Sequence, residues 1–288
     1  MRVAVTGAAG FVGGAVARAL AERGHEVTAY TRREWDITSG PIDGRADAVV
    51  HSAALADDWA PRAAAMLSNV IGTRNVVASF PGARVVHIST ASVYDAFAPN
   101  VRVRENAAPV TRFLSGYAES KTRAEVEVGE NAVVLRPHAV YGPGDRTLLP
   151  RILAGIRGHR LVLPAGAEVR HTLTHIDNLV DAVELALTAP AGVYNIGDDT
   201  EVLLAAVLRE FLGRRGRADV ALTSIPYPAA FAAAAALEAA ARLGGRRPRL
   251  TRYAVSQLGL ERTLDLTAAR ERLGYRPRPT SLAGAEGW

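Results

Sequence analysis

Thr6-Gly7-Ala8-Ala9-Gly10-Phe11-Val12-Gly13 joins a short apolar run, Val3-Ala4-Val5, to residues 13–23, where Ala, Val and Leu recur at helical spacing. Glycines at 7, 10 and 13 permit a tight turn and let backbone N–H groups approach a pyrophosphate. The helix N-terminus that follows supplies partial positive charge. The expectation is a dinucleotide held by Gly7, Gly10, Phe11, Val12 and Gly13. A lone glycine motif is weak evidence, and its place at the first strand–helix junction gives it weight.

Outward from that turn, strand and helix signals alternate. Residues 26–30, 48–51, 84–88, 132–135 and 193–196 read as strands; residues 62–79, 116–128 and 177–187 read as helices. Short apolar strands separated by helices predict an α/β fold, a Rossmann-type doubly wound parallel sheet covered on both faces. Gly, Pro and Arg are richer in 143–171, so the chain is expected to leave the sheet there. The division expected is a dinucleotide-binding domain over 1–142, rejoined by about 172–198. A smaller, mainly helical C-terminal substrate lobe takes 143–171 and 199–288.

Composition removes several function classes. The 288 residues contain no cysteine, which excludes disulfide scaffolds, thiolate metal sites and cysteine nucleophiles. Lys and Arg number 34 against 29 Asp and Glu, a formal charge of +5. All but one of the 34 are Arg, dispersed except for pairs at 32–33, 214–215 and 246–247. A phosphate-tracking surface clusters its charge, so no nucleic-acid partner is expected. The histidines show no spacing with acids that reads as a metal site, so no metal is expected. The longest apolar stretch, 228–241 with Glu238 inside it, is shorter than the ~20 residues that span a bilayer. Met1-Arg2-Val3 leads straight into a strand rather than a secretory signal, and a cytoplasmic location is expected.

The second strand ends Tyr30-Thr31-Arg32-Arg33. An acid there would suit the ribose 2′-OH of NAD, whereas an Arg accommodates the 2′-phosphate of NADP. Arg32 and Arg33 therefore favour NADP(H), with NAD(H) open. Asp36 and Ile37 follow so soon that the usual crossover helix looks deleted, leaving Asp36 to receive an adenine amino group.

Tyr117 and Lys121, spaced i, i+4, share one helix face. A nearby ammonium is expected to lower the phenol's pKa, so that Tyr117 can pass a proton while hydride moves at a nicotinamide. Tyr-x-x-x-Lys is a common accident, yet here the chain's single lysine stands four residues after a tyrosine. With eight Tyr in 288 residues, chance gives that about three times in a hundred. Arg cannot easily replace Lys in this role. Hydroxyls of Ser89-Thr90-Ala91-Ser92 follow the strand at 84–88, where parallel sheets bind ligands, and one can hold the reacting oxygen.

Jointly the chain resembles the extended short-chain dehydrogenase/reductase superfamily, also called the NAD-dependent epimerase/dehydratase family. The resemblance covers nearly the whole length. It rests on Thr6-Gly7-x-x-Gly10-x-x-Gly13, Val50-His51-Ser52-Ala53-Ala54, Asn69-Val70-Ile71-Gly72-Thr73, Tyr117-x-x-x-Lys121, Leu135-Arg136-Pro137, Val140-Tyr141-Gly142-Pro143-Gly144 and His175-Ile176-Asp177-Asn178. By that resemblance Thr90 takes the place of the catalytic Ser/Thr and Asn69 that of the asparagine supporting the proton relay. The same likeness puts Ser52, Ala53, Ala54, Ser89, Pro137, His138 and Val140 along the cofactor, and implies a homodimer. Asp57-Asp58-Trp59-Ala60-Pro61, Gly144-Asp145-Arg146 and the tail motif Pro248-x-Leu250-Thr251-Arg252-Tyr253 look most like bacterial 3β-hydroxysteroid dehydrogenase-like proteins.

Two enzyme readings and one binding reading stay open. The first is a ketone/alcohol oxidoreductase on an apolar small molecule, with Ala91, Ser92 and Trp59 near the substrate. The second is a nucleotide-sugar epimerase, dehydratase or reductase with tightly held NAD, where Arg146, Arg170 and His171 would bind a diphosphate. The third is a non-catalytic NADP sensor, which usually lacks the Tyr or Lys that this chain keeps.

Overall fold

The computed structural model describes all 288 residues. β1 (Arg2–Thr6) leads into α1 (Phe11–Glu22), and β2 (Glu26–Tyr30) lies parallel to β1. β3 (Ala48–His51) pairs with the other side of β1. α2 (Arg62–Met66) runs through a π-turn at Leu67–Ile71 into α3 (Gly72–Ser79), where the sequence predicts one regular helix. β4 (Arg84–Ile88), β5 (Asn100–Val103), α4 (Gly116–Glu127), β6 (Val133–Pro137) and β7 (Val140–Tyr141) follow. Then come α5 (Leu148–Ala154), β8 (Arg160–Pro164), β9 (Arg170–His171), β10 (Thr174–His175), α6 (Ile176–Ala186) and β11 (Gly192–Ile196).

Strands β2, β1, β3, β4, β6 and β11 form one six-stranded parallel sheet in that order. The inner strands are buried on both faces because residues alternate across the pleat. Val3, Val5, Val50, Val86 and Leu135 point to one side, against Val16 and Leu20 of α1 and Leu179 and Val183 of α6. Ala4, Val49, Val85 and Val134 point to the other, against Val76 of α3 and Phe80. The expected Rossmann-type sheet is therefore the core of the molecule. Strand order reverses between β1 and β3, the place where open α/β sheets hold ligands.

The missing crossover after β2 is replaced by one side chain. Trp35 is buried and meets Tyr30 and Phe80 edge-on, at 5.7 and 6.3 Å between centroids. Its indole N–H donates to the Gly40 carbonyl at 3.0 Å. Ile37 turns inward as well, so close to Gly72 that a Cβ there would sit 2.6 Å from it. An indole and an isoleucine fill the volume that a helix would otherwise cover.

The C-terminal part holds α7 (Leu204–Arg214), α8 (Tyr227–Gly244) and α9 (Arg252–Gly259), but also β12 (Val202–Leu203), β13 (Ala221–Ile225) and β14 (Arg262–Leu264). These strands depend on distant partners, β13 on β8 and β14 on β5 and β9, so local pattern does not reveal them. No helix is long and apolar enough to cross a membrane. The cap of α6 is the His175 ring, which accepts from the Asp177 N–H; the Asp177 side chain stands exposed in the first turn.

Candidate active site

The glycine turn after β1 is built by close packing. Gly7 has φ +73°, and a Cβ on it would lie 2.7 Å from the Ala53 nitrogen. A Cβ on Gly13 would strike the Gly7 carbonyl at 2.3 Å and the Ser52 hydroxyl at 2.5 Å. Ser52 donates to the Thr6 carbonyl at 2.7 Å, which ties the end of β3 to the end of β1. Gly10 precedes α1 with no side-chain cap, and no acid occupies the first turn. The N–H groups of Phe11, Val12 and Gly13 have no acceptor in the protein. Three free donors at the positive end of a twelve-residue helix suit a pyrophosphate. Phe11 also borders the loop after β7, since a Cβ on Gly144 would touch its ring.

At the far end of this cleft, Arg32 is exposed and its Nε donates to Asp36 at 3.0 Å. Asp36 also accepts from the N–H and hydroxyl of Thr38, so both of its oxygens are engaged. Glu34, the acid nearest the end of β2, is turned back onto the N–H and hydroxyl of Thr31, which hold its pKa down. Arg33 is exposed. The side chain of Ile37 is in the core and its carbonyl accepts from Asn75, so it presents little to a ligand.

The catalytic candidates converge at the carboxyl end of β4. Thr90 caps a short turn, accepting from the Ser92 N–H at 3.1 Å and donating to the Ser92 hydroxyl at 3.0 Å. It also lies near enough to the Tyr117 phenol to oppose the rise in that group's pKa. Ser115 caps α4 through the Ala118 N–H, and Gly116 lets α4 approach α2, since a Cβ there would lie 3.0 Å from the Arg62 Cα. Lys121 is 2% exposed; its ammonium donates to the Ile88 carbonyl at 2.8 Å and to Nε2 of His87 at 3.0 Å. Burial draws its pKa down from 10.5 to about 8, with Glu125 opposing the fall.

One expectation is corrected here. The net direction for the Tyr117 phenol is opposite to the expected lowering: burial pushes that pKa up, Tyr253 adds to the rise, and Thr90 opposes it. Desolvation outweighs a cation whose protons are already directed at Ile88 and His87.

Asn69 sits in the π-turn, 1% exposed, where such irregular turns often accompany function. Its side chain accepts from the Leu55 N–H at 2.7 Å and donates to the Ser120 hydroxyl at 2.8 Å; Ser120 in turn holds the Tyr117 carbonyl. Ser89 faces the other way, donating to Glu125, so its hydroxyl is not offered to the cleft. Glu125 grips Arg136 through two hydrogen bonds, 2.6 and 2.9 Å, both side chains nearly buried. That pair pins α4 to β6.

His138 is buried, with its ring nitrogen 3.1 Å from His171; its N–H and carbonyl are both held by Thr174. His171 is therefore interior and not free for a diphosphate. Pro137 is buried, Val140 half-buried, Ala53 half-buried and Ala54 exposed. Ala91 packs with Val93, Tyr94 and Leu264. The Trp59 ring lies under the Arg242 guanidinium, 5.4 Å from the centroid. Arg146 and Arg170 are exposed and form no ion pair.

The residue that sequence reasoning passed over is Tyr253. From α9 its hydroxyl meets Ser92 at 2.6 Å, extending the Thr90–Ser92 hydroxyl pair into the C-terminal lobe. Asp58 fixes that approach: nearly buried, it accepts from Thr251 at 2.6 Å, Arg247 at 2.9 Å and Arg151 at 3.2 Å. The motif signal existed in Asp57-Asp58 and Thr251-Arg252-Tyr253, but nothing local says that they meet.

Residues 3–197 match the family model "NAD dependent epimerase/dehydratase family". The chain is 33% identical over 320 residues to the 4-hydroxy-2-methyl-3-oxo-4-farnesyl-3,4-dihydroquinoline-1-oxide ketoreductase of Stigmatella aurantiaca, covering 99% of this chain and 95% of that protein. It is 30% identical over 314 residues to the 2-alkyl-3-oxoalkanoate reductase of Shewanella oneidensis, covering 94% and 81%. Its fold matches dTDP-4-dehydrorhamnose reductase from Bacillus anthracis in complex with NADP, with TM-score 0.71, 19% identity, and 99% and 97% of the two chains covered. The chain therefore belongs to the NAD dependent epimerase/dehydratase family, within the extended short-chain dehydrogenase/reductase superfamily, and is an NAD(P)-dependent oxidoreductase.

Proposed function

We propose that the protein interconverts a ketone and a secondary alcohol on an apolar small molecule, with NADP(H) the favoured cofactor. The observation that carries this reading is the single lysine, buried on α4 four residues after Tyr117 with its ammonium fixed on β4, the strand that leads into the Thr90 and Ser92 hydroxyls. The free N–H groups of α1 would hold the pyrophosphate, and Arg32 the 2′-phosphate. When bound, the nicotinamide supplies or takes the hydride.

The chain's own residues handle the proton. Tyr117 exchanges it with the substrate oxygen, Thr90 holds that oxygen by hydrogen bonding, and the Lys121 ammonium lends positive charge to the phenol's surroundings during transfer. Asn69, through Ser120, keeps the first turn of α4 in place. The relatives named for reduction of 3-oxoalkanoates and of a farnesylated quinoline ketone support an apolar ketone as substrate. Steroid dehydrogenases are also among the relatives, at 27–28% identity, which is compatible with an apolar substrate without singling out that branch.

The test is a screen of 2-alkyl-3-oxo acids, steroid and quinoline ketones, secondary alcohols and nucleotide sugars with NADPH and NADH, following nicotinamide absorbance. Stoichiometric NADPH consumption with an apolar ketone is expected. Turnover confined to nucleotide sugars, with NAD retained through dilution, would overturn the reading.

A further inference from the structure

His87 occupies a middle strand of the sheet, fully buried, directly under the site. Its Nε2 stands 3.0 Å from the Lys121 nitrogen, and its Nδ1 has no partner. Buried polar atoms are nearly always paired, so a ring left half-satisfied in the core calls for a reason. An ammonium only donates, which makes Nε2 the unprotonated nitrogen and puts the ring proton on Nδ1. The orphan is thus the price of presenting an acceptor to the lysine.

No neighbour can serve instead. His51 on β3 packs against His87 with centroids 5.2 Å apart, but its nitrogens belong to Thr6 and Thr73. On α4, Glu125 is engaged by Arg136 of β6 and by Ser89. The Ile88 carbonyl is the ammonium's other acceptor, and its position follows from β4 itself. Burial keeps both imidazoles neutral, His51 pulled down to about 3 and His87 lower than its ordinary value, each helped by the charge on Lys121.

We infer that His87 is the positioning residue for Lys121, a neutral imidazole acceptor that holds the ammonium on the Tyr117 face of α4. Its function is to keep a desolvated lysine charged and in one place. This rests on the proposed role of Lys121 in the relay, but the link between the two residues can be tested without any substrate.

Because the chain has one lysine, protein grown on 13Cε-lysine gives a single side-chain signal whose pH titration reports Lys121 alone. His87→Leu should lower its midpoint by about one pH unit, the effect of removing one hydrogen bond to a charge. His87→Gln, which returns an acceptor oxygen at similar reach, should restore it. An unchanged midpoint in His87→Leu, or equal shifts in both variants, would overturn the proposal. If the leucine variant does not fold, ring 15N spectra of the wild type near neutral pH decide: a proton on Nδ1 is required, and one on Nε2 refutes it. A normal titration in an enzyme that reduces no ketone would defeat the proposed function while leaving the His87–Lys121 link intact.

Discussion

Lys121→Met removes an ammonium that folding has to bury, and the consequence can be worked out in advance. Burial pulls the lysine from 10.5 to about 8 in the folded protein, whereas the unfolded chain keeps the ordinary value. Between those limits the unfolded state binds the extra proton, so folded stability rises with pH. Below about pH 8 the penalty is present in full; above about 10.5 it is gone. At about 1.4 kcal/mol per unit, the wild type gains roughly 3 kcal/mol across the window. Methionine has similar bulk and no charge, so it lacks this dependence. Losing the bonds to His87 and Ile88 moves the variant's whole curve and not its slope. Urea unfolding of both proteins at matched pH values gives the difference curve, in which every other titrating group cancels. A chain without cysteine tolerates the alkaline end without thiol exchange. The wild type should climb relative to the variant by about 3 kcal/mol between pH 7 and 10.5. A flat difference would mean that Lys121 titrates normally in the fold, and the desolvated, two-acceptor geometry would be wrong.

Tyr117→Phe should reduce turnover by at least roughly a hundredfold, as loss of a general acid does, while NADPH binding measured by fluorescence titration stays near wild type. Lost binding would make the residue structural. Arg32→Ala should weaken NADPH binding about tenfold, the loss of one charge-assisted phosphate contact, and leave NADH nearly unchanged; equal effects on both would reject the 2′-phosphate role. Trp35→Ala should cost about 3–5 kcal/mol in urea unfolding, since a buried indole is lost where no helix can collapse into the gap. A cost below ~1 kcal/mol would show that the loop after β2 carries no packing.

The parts of the site that were legible in the sequence are those encoded within one turn of chain. The glycines at 7, 10 and 13 announce themselves because backbone must pass where a Cβ cannot fit, and each of Gly7 and Gly13 proves to be crowded by Ala53 or Ser52. Tyr117 and Lys121 are legible because four residues on a helix is one face. The missing crossover was legible as an absence, but Trp35 as its replacement was not, since a tryptophan in a short loop gives no direction for its ring. Similarly, Ser89 and Thr90 are adjacent hydroxyls past a strand end, and nothing local tells that the first turns to Glu125 and the second to Ser92.

What stayed hidden depends on sequence separation. Asp58 and Thr251 are 193 residues apart, Ser92 and Tyr253 161, and each pair meets only after the sheet and the C-terminal lobe have both formed. His87 was hidden for a different reason. A histidine in a strand of Val and Ile reads as core, and core it is; what makes it more is the one lysine arriving from α4 at 3.0 Å. The sequence separation there is only 34 residues, but the relevant property is a pairing of protonation states, which no periodicity expresses. A lysine buried with carboxylates would have declared itself as an ion pair. Buried with an imidazole and a carbonyl, it has its ammonium held by neutral acceptors, and only Glu125, itself engaged by Arg136 and Ser89, opposes the fall that burial imposes on its pKa.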